Sequence, residues 1–269
     1  EALTALDRRP SLTPWFFIDS DEEIGSRESR RYLERLARGM DRVFVLEPSL
    51  GRRGRLKTSR KGGGLFQVEV KGRAAHAGLD PESGASAILE LSYAIQALFA
   101  LNDPHRGVTV NVGQVDGGLR PNVVAPAGRA VVDVRVARQE DAVEVEKAIF
   151  GLQPHTPGVS LKVSGGISRP PMEETPRNLA LFRRARELGK LVGLDLEGGQ
   201  SGGGSDGNFT SLFAATLDGL GAVGGGAHAD HEFIEWKGMA ERTALLALLL
   251  LEPPREVSRR ASAAPGKEA

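Results

Sequence analysis

Between Lys61 and Val163 the apolar residues fall into six periodic segments, and that rhythm constrains the fold more than any other feature of the chain. Phe66, Val68 and Val70 alternate with Gln67 and Glu69, the signature of a strand with one wet face. Ile88, Leu91, Ile95 and Leu98 then recur at helical spacing. Val108, Val110 and Val112 alternate again, as do Val132, Val134 and Val136. Val145, Ala148 and Ile149 predict a second helix, and Leu161 with Val163 a last strand. The order β-α-β-β-α-β is that of a ferredoxin-like sandwich of one small domain.

A different pattern flanks this block. Trp15, Phe16, Phe17 and Ile18 form a short, wholly apolar run, and Val43, Phe44, Val45 and Leu46 form another; both are expected as buried strands. Between them, Ser26 is expected to cap a helix bearing Tyr32, Leu33 and Leu36, with Gly39 as its stop. After Pro170 and Pro171, the residues Leu181, Ala185, Leu188 and Val192 predict a helix. A glycine-rich loop is expected over residues 198–204, a core strand over 214–217 and an apolar closing helix over 239–251. The expected architecture is α/β. Residues 1–62 and 170–252 form an incomplete α/β domain, residues 63–169 an inserted ferredoxin-like domain, and residues 253–269 a disordered tail.

Composition narrows the function. The 269 residues include 35 Lys and Arg against 35 Asp and Glu, a net charge of zero, which argues against nucleic acid as a partner. The longest apolar run, residues 244–251, is far too short to span a bilayer, so no membrane is expected. The chain has no cysteine, which excludes disulfides, Cys-based zinc sites and a cysteine nucleophile. The compartment stays open, with the cytoplasm favoured.

Polar residues gather where strands end. Asp21, Glu22 and Glu23 follow the first apolar run, Glu47 ends the second, and His228 follows a glycine-rich stretch after the third. Ligand sites in open α/β sheets lie beyond the carboxyl ends of strands. Carboxylates with a histidine there suit a divalent ion; on spacing alone, a solvated turn at a helix start accounts for the same acids. Arg135 lies on the polar face of its strand, and its fork suits a carboxylate unless it is simply solvated.

Seven segments in order resemble the dinuclear metallopeptidase and deacylase family of glutamate carboxypeptidase, acetylornithine deacetylase, succinyl-diaminopimelate desuccinylase and aminoacylase. They are Asp21-Glu22-Glu23-Ile24-Gly25-Ser26, Glu47-Pro48, the run from Lys71 to Gly78, the run from Pro121 to Pro126, Asp133-Val134-Arg135, the run from Gly203 to Asn208, and Ala227-His228-Ala229-Asp230. The resemblance is nearest to glutamate carboxypeptidase. It implies two Zn²⁺ per active site, with cobalt as an alternative. Glu22 would be the general base acting on a metal-bridging water, Glu23 and His228 ligands of one metal, and Glu47 a ligand of the other. It also implies a homodimer through the inserted domain, in which His76 would reach the partner's site and stabilise the oxyanion. Asn122, Arg135 and Arg169 would bind substrate, with Gly203 and Gly204 lining the cleft. The implied substrate is a small peptide or N-acyl amino acid with a free carboxylate. The family's upstream His-x-Asp motif and bridging Asp have no counterpart in this sequence. The chain is therefore expected to be the inactive C-terminal part of an enzyme, with a degenerate, non-catalytic dimerising relative as the alternative.

Overall fold

A computed structural model describes residues 1–255; the tail expected beyond residue 253 falls almost wholly outside them. The chain divides into two compact units. One comprises Glu1–Arg60, Met172–Ser201 and the residues from Ser205 onward; the other comprises Lys61–Pro171 with Gly202–Gly204. The first opens with α1 (Ala2–Ala5), α2 (Arg30–Ala37), β1 (Arg42–Phe44) and β2 (Leu56–Arg60). The second carries β3 (Gly62–Lys71), α3 (Ala87–Phe99), β4 (Thr109–Gly117), β5 (Ala127–Val136), α4 (Gln139–Phe150) and β6 (Ser160–Arg169). The first resumes with α5 (Pro176–Leu191), β7 (Gly198–Ser201), α6 (Gly207–Thr210), β8 (Ala215–Leu217), β9 (Gly224–Gly225), β10 (Phe233–Ile234) and α7 (Trp236–Leu251).

The second unit has the expected β-α-β-β-α-β order. Its four strands form one antiparallel sheet in the order β4-β5-β3-β6. Alternation works as the sequence predicts: Phe66, Val68, Val70, Val132, Val134 and Val136 are all buried, in one cluster with Leu91 and Leu98 of α3 and Val145 and Ile149 of α4. Ser86 starts α3, its Oγ accepting the Leu89 N–H at 3.2 Å. The β3–β6 pair is tight where glycines meet: a Cβ on Gly64 would strike the backbone of Gly166 and Ile167. On α3, Glu90 is fully buried, and its Oε2 accepts the N–H groups of His155 at 2.9 Å and Thr156 at 2.6 Å, pinning the loop before β6. Burial pushes this carboxyl up, but the two N–H donors outweigh it and hold it below the usual carboxylate range.

The first unit contains two parallel pairs, β1 with β8 and β2 with β7. Leu56, Leu217, Leu181, Ala185, Leu188, Leu245 and Leu249 form its core, so the apolar faces of α5 and α7 are buried as their periodicity predicts. Four local expectations are corrected. Trp15, Phe16, Phe17 and Ile18 form no strand: no described strand pairs with them, and without a neighbour to cover them all four side chains are exposed. The second apolar run becomes a shorter strand, Arg42–Phe44, which is half-buried, and Leu46 is exposed. Ser26 does not cap α2, whose N-cap is Ser29; Ser26 is buried, at φ 53°, and its Oγ donates to Asp206 Oδ1 at 2.5 Å. The first half of the expected glycine-rich loop is strand β7, because these small residues pack directly against neighbours: a Cβ on Gly198 would meet Thr58 and Phe182.

Candidate active site

Glu22 and Glu23 lie in a short 3₁₀ turn, Glu22–Ile24. The turn is built by Asp21, whose Oδ2 accepts the backbone N–H of Glu28 at 2.8 Å and of Ser29 at 3.3 Å. Hydrogen bonding from Ser29 and from the Glu28 N–H holds the Asp21 carboxyl below its ordinary value. Asp21 is thus committed to the backbone. Glu23 Oε2 stands 4.0 Å from Nε2 of His228, and both side chains are more than three-quarters exposed. His228 reaches this place from a turn in which it adopts φ 64°, an uncommon conformation for a residue with a Cβ.

Glu47 follows β1, on a segment fixed when the Gly221 N–H donates to the Glu47 carbonyl at 2.9 Å. A side chain at 221 would strike the Leu46 and Glu47 carbonyls, so the close approach requires glycine there. The Glu47 carboxylate meets two cations of its own chain, Arg60 Nη2 at 3.2 Å and Lys57 Nζ at 4.0 Å from Oε2. Burial pushes the Glu47 carboxyl up. Arg60 and Lys57 oppose that, while the charges of Asp218 and Glu22 add to it. The same burial, with Arg60 alongside, pushes Lys57 down.

The donor types fit a zinc site, but their number does not. Among the described residues no three His, Asp or Glu side chains converge as metal ligands. Glu23 and His228 would supply two ligands of one ion, and Glu47 would supply one of another, where a catalytic zinc takes three from protein. No chemical step is therefore routed through a metal.

In the second unit His76 and Asn122 are brought together by backbone pairing. His76 bridges Val123, and the Ala77 N–H donates to the Asn122 carbonyl at 3.0 Å. Nδ1 of His76 accepts the N–H groups of Gly78 and Leu79, each at 3.2 Å. With Nδ1 accepting, the ring proton sits on Nε2, which is then a donor. Arg135 lies on the open face of the sheet as expected, but its fork is engaged: Nε and Nη2 donate to the two oxygens of Asp133 at 2.9 and 2.8 Å. Arg169 ends β6, and its side chain lies so close to Gly204 that a Cβ there would strike it, whereas Gly203 has open space around its Cα. The sequence reading missed one feature of the first unit, the buried pair Arg60–Asp218 with Ser205 attached to it. Its one local sequence signal is Asp218, which directly follows β8; Arg60 ends the polar run Lys57-Thr58-Ser59.

Comparison with known proteins agrees with this layout. Residues 58–152 match the model of a peptidase dimerisation domain of the M20 class. The chain is 27% identical to carboxypeptidase G2 of a Pseudomonas strain over 243 residues, 87% of this chain and 58% of that protein. It is 34% identical to the acetylornithine deacetylase of Myxococcus xanthus over 131 residues, 44% of this chain and 33% of that one. Among solved structures it resembles the aminopeptidase PepT of Bacillus cereus, with TM-score 0.69, 22% identity, and 86% of this chain and 62% of that one covered. It also resembles the YXEP protein of Bacillus subtilis, described as a dinuclear metal binding peptidase, with TM-score 0.62, 16% identity, and the same two shares covered. An α/β unit interrupted by an antiparallel β-α-β-β-α-β unit is the fold that the chain shares with these peptidase structures. Residues 58–152 thus match the M20 peptidase dimerisation domain, and over most of its length the chain is similar to proteins of the M20 metallopeptidase family. It spans little more than half the length of carboxypeptidase G2.

Proposed function

We propose that the protein hydrolyses the amide bond of a small peptide or N-acyl amino acid carrying a free carboxylate, in the manner of a glutamate carboxypeptidase. The observation that carries the reading is the approach of His228 to Glu23, next to Glu22, in a chain alike to carboxypeptidase G2 over most of its length. Glu22 is the general base: it takes a proton from the attacking water and delivers it to the leaving nitrogen. Metal ions such as zinc or cobalt would supply Lewis acidity at the scissile carbonyl. Glu23 and His228 would help to hold one and Glu47 the other, with further donors needed beyond these three. Residues Lys61–Pro171 are the dimerisation unit. Through the dimer, His76 offers its Nε2–H to the oxyanion in the partner's site. Asn122, Arg135 and Arg169 read the substrate's carboxylates, Arg135 by exchanging Asp133 for substrate, and Gly203 and Gly204 give the backbone room beside it.

The likeness to acetylornithine deacetylase favours N-acyl amino acids as the second substrate class. A screen separates the two. The protein expressed from its own gene is assayed with zinc and with cobalt against peptides ending in glutamate and against N-acyl amino acids. Release of C-terminal glutamate supports the carboxypeptidase reading, and release of acyl groups alone replaces it with the deacylase. No metal-dependent turnover on either class contradicts both.

A further inference from the structure

The turn that carries Glu22 and Glu23 is tied by one buried side chain to a loop 180 residues further along the chain. The turn closes on itself first: the Asp21 carbonyl accepts the Ile24 N–H at 3.2 Å and the Ser26 N–H at 2.8 Å, and the Glu22 carbonyl accepts the Gly25 N–H at 2.9 Å. To leave it, the chain passes through the left-handed region at two successive residues, Gly25 at φ 96° and Ser26 at φ 53°. Glycine adopts that region freely, and serine does not. Ser26 is fully buried, and its Oγ donates to Asp206 Oδ1 at 2.5 Å. Asp206 is itself anchored. Its carbonyl starts α6 by accepting the N–H groups of Phe209 at 3.0 Å and Thr210 at 3.1 Å. The preceding Ser205 is fully buried; its N–H donates to Asn208 Oδ1 at 2.8 Å and its Oγ to Asp218 Oδ2 at 2.6 Å.

If the turn had only to form, a second glycine at position 26 would make it with less strain. Ser26 supplies instead a hydroxyl aimed at a carboxylate, a short and strong class of hydrogen bond. Backbone held in a sparsely populated region persists where its surroundings over-determine it. Here the two ends of the turn are fixed separately. Asp21 binds its start to the backbone before α2, and Ser26 binds its end to the loop before α6. The backbone bearing Glu22 lies between these two anchors. A general base must stand within hydrogen-bond reach of the proton it takes, and a misplacement of about 1 Å costs up to about a hundredfold in rate.

We propose that Asp206, acting through the Ser26 hydroxyl, is a positioning residue that sets where Glu22 stands. This rests on the reading of Glu22 as the general base, and the test separates the two. In the protein expressed from its own gene, kcat and KM on the best substrate of the screen, thermal melting, and hydrogen exchange over residues 21–29 are measured for Ser26→Gly, Asp206→Ala, Asp206→Asn and the double variant Ser26→Gly with Asp206→Ala. Glycine takes the left-handed conformation without strain, so Ser26→Gly is expected to melt cooperatively. Its turn amides are expected to exchange about tenfold faster, the loss of one charge-assisted hydrogen bond. Its kcat is expected to fall about ten- to a hundredfold with KM within about twofold. Asp206→Ala is expected to do the same, and the double variant to be no worse than either, since each change breaks the same bond. Asp206→Asn, whose side-chain carbonyl still accepts the Ser26 hydroxyl, is expected to recover part of the loss. A folded Ser26→Gly with wild-type kcat would overturn the positioning role, whatever its exchange rate, and so would losses that multiply in the double variant. Glu22→Gln with a wild-type kcat, or a wild type without turnover, would instead remove Glu22 as the base, and the role of Asp206 with it.

Discussion

Glu22 and Glu23 are adjacent in one turn, yet the proposed chemistry asks opposite things of them. Glu23 faces His228 and would be a ligand, whereas Glu22 would carry the proton. Glu23→Gln and His228→Ala are therefore expected to lower bound zinc, measured by elemental analysis after dialysis, whereas Glu22→Gln keeps it. Zinc lost equally from all three would reverse the assignment. The candidate residues were proposed from short motifs, Glu22, Glu23 and Glu47 each following an apolar run and His228 a glycine-rich stretch. Arg60, Asp218 and Ser205 were not: their meaning lies in contacts spanning 158 and 13 residues, which no local pattern encodes. Arg135 was placed on the correct face by alternation alone, but its bond to Asp133, two residues away on the same strand face, went unread.

At the scale of elements, the strands and helices of the second unit follow hydrophobic period almost residue by residue, because each buries one face against a neighbour from the same unit. The run from Trp15 to Ile18 fails for the converse reason: composition shows that it is apolar, but a strand needs a partner, and none is present among the described residues. Two predictions belong here. Gly64→Ala sets a methyl against the backbone of β6, which cannot swing aside, and is expected to lower stability by about 1–3 kcal/mol in denaturant melts. An unchanged midpoint would mean that β3 and β6 are less closely paired. Glu90→Gln replaces a charged acceptor of two N–H groups, with an expected loss of about 1.5–3 kcal/mol at neutral pH. The sign of its pH dependence follows from a folded-state pKa held below the unfolded one: the stabilisation is complete above the ordinary carboxylate range and disappears as pH falls through the lower, folded value. Wild type and Glu90→Gln should therefore converge in stability in acid; a constant gap down to the acid limit would contradict this account.

On the scale of the whole molecule, the proposal is that the protein works as a dimer with His76 acting in trans. Two variants, His76→Ala and Glu22→Gln, each nearly inactive alone, are expected to complement when mixed under conditions of subunit exchange. Random exchange makes about half of the dimers hetero, each with one whole site of two, so about a quarter of wild-type activity returns if losing the oxyanion donor costs the usual hundredfold or more. Proven exchange without recovery would confine His76 to its own loop. The 269-residue chain by itself, in whose described residues no three metal donors converge, is expected to show no zinc-dependent turnover; turnover abolished by a chelator would show that the donor set is larger than the proposed Glu23, His228 and Glu47.

The most direct test of the central claim is the turnover of Glu22→Gln in the protein expressed from its own gene, measured on the best substrate of the screen with metal content determined on the same sample. The account predicts a kcat about 10²–10⁴-fold below wild type at full metal occupancy. A kcat within a few-fold of wild type at the same occupancy would contradict it, since the proton would then be carried by some other group.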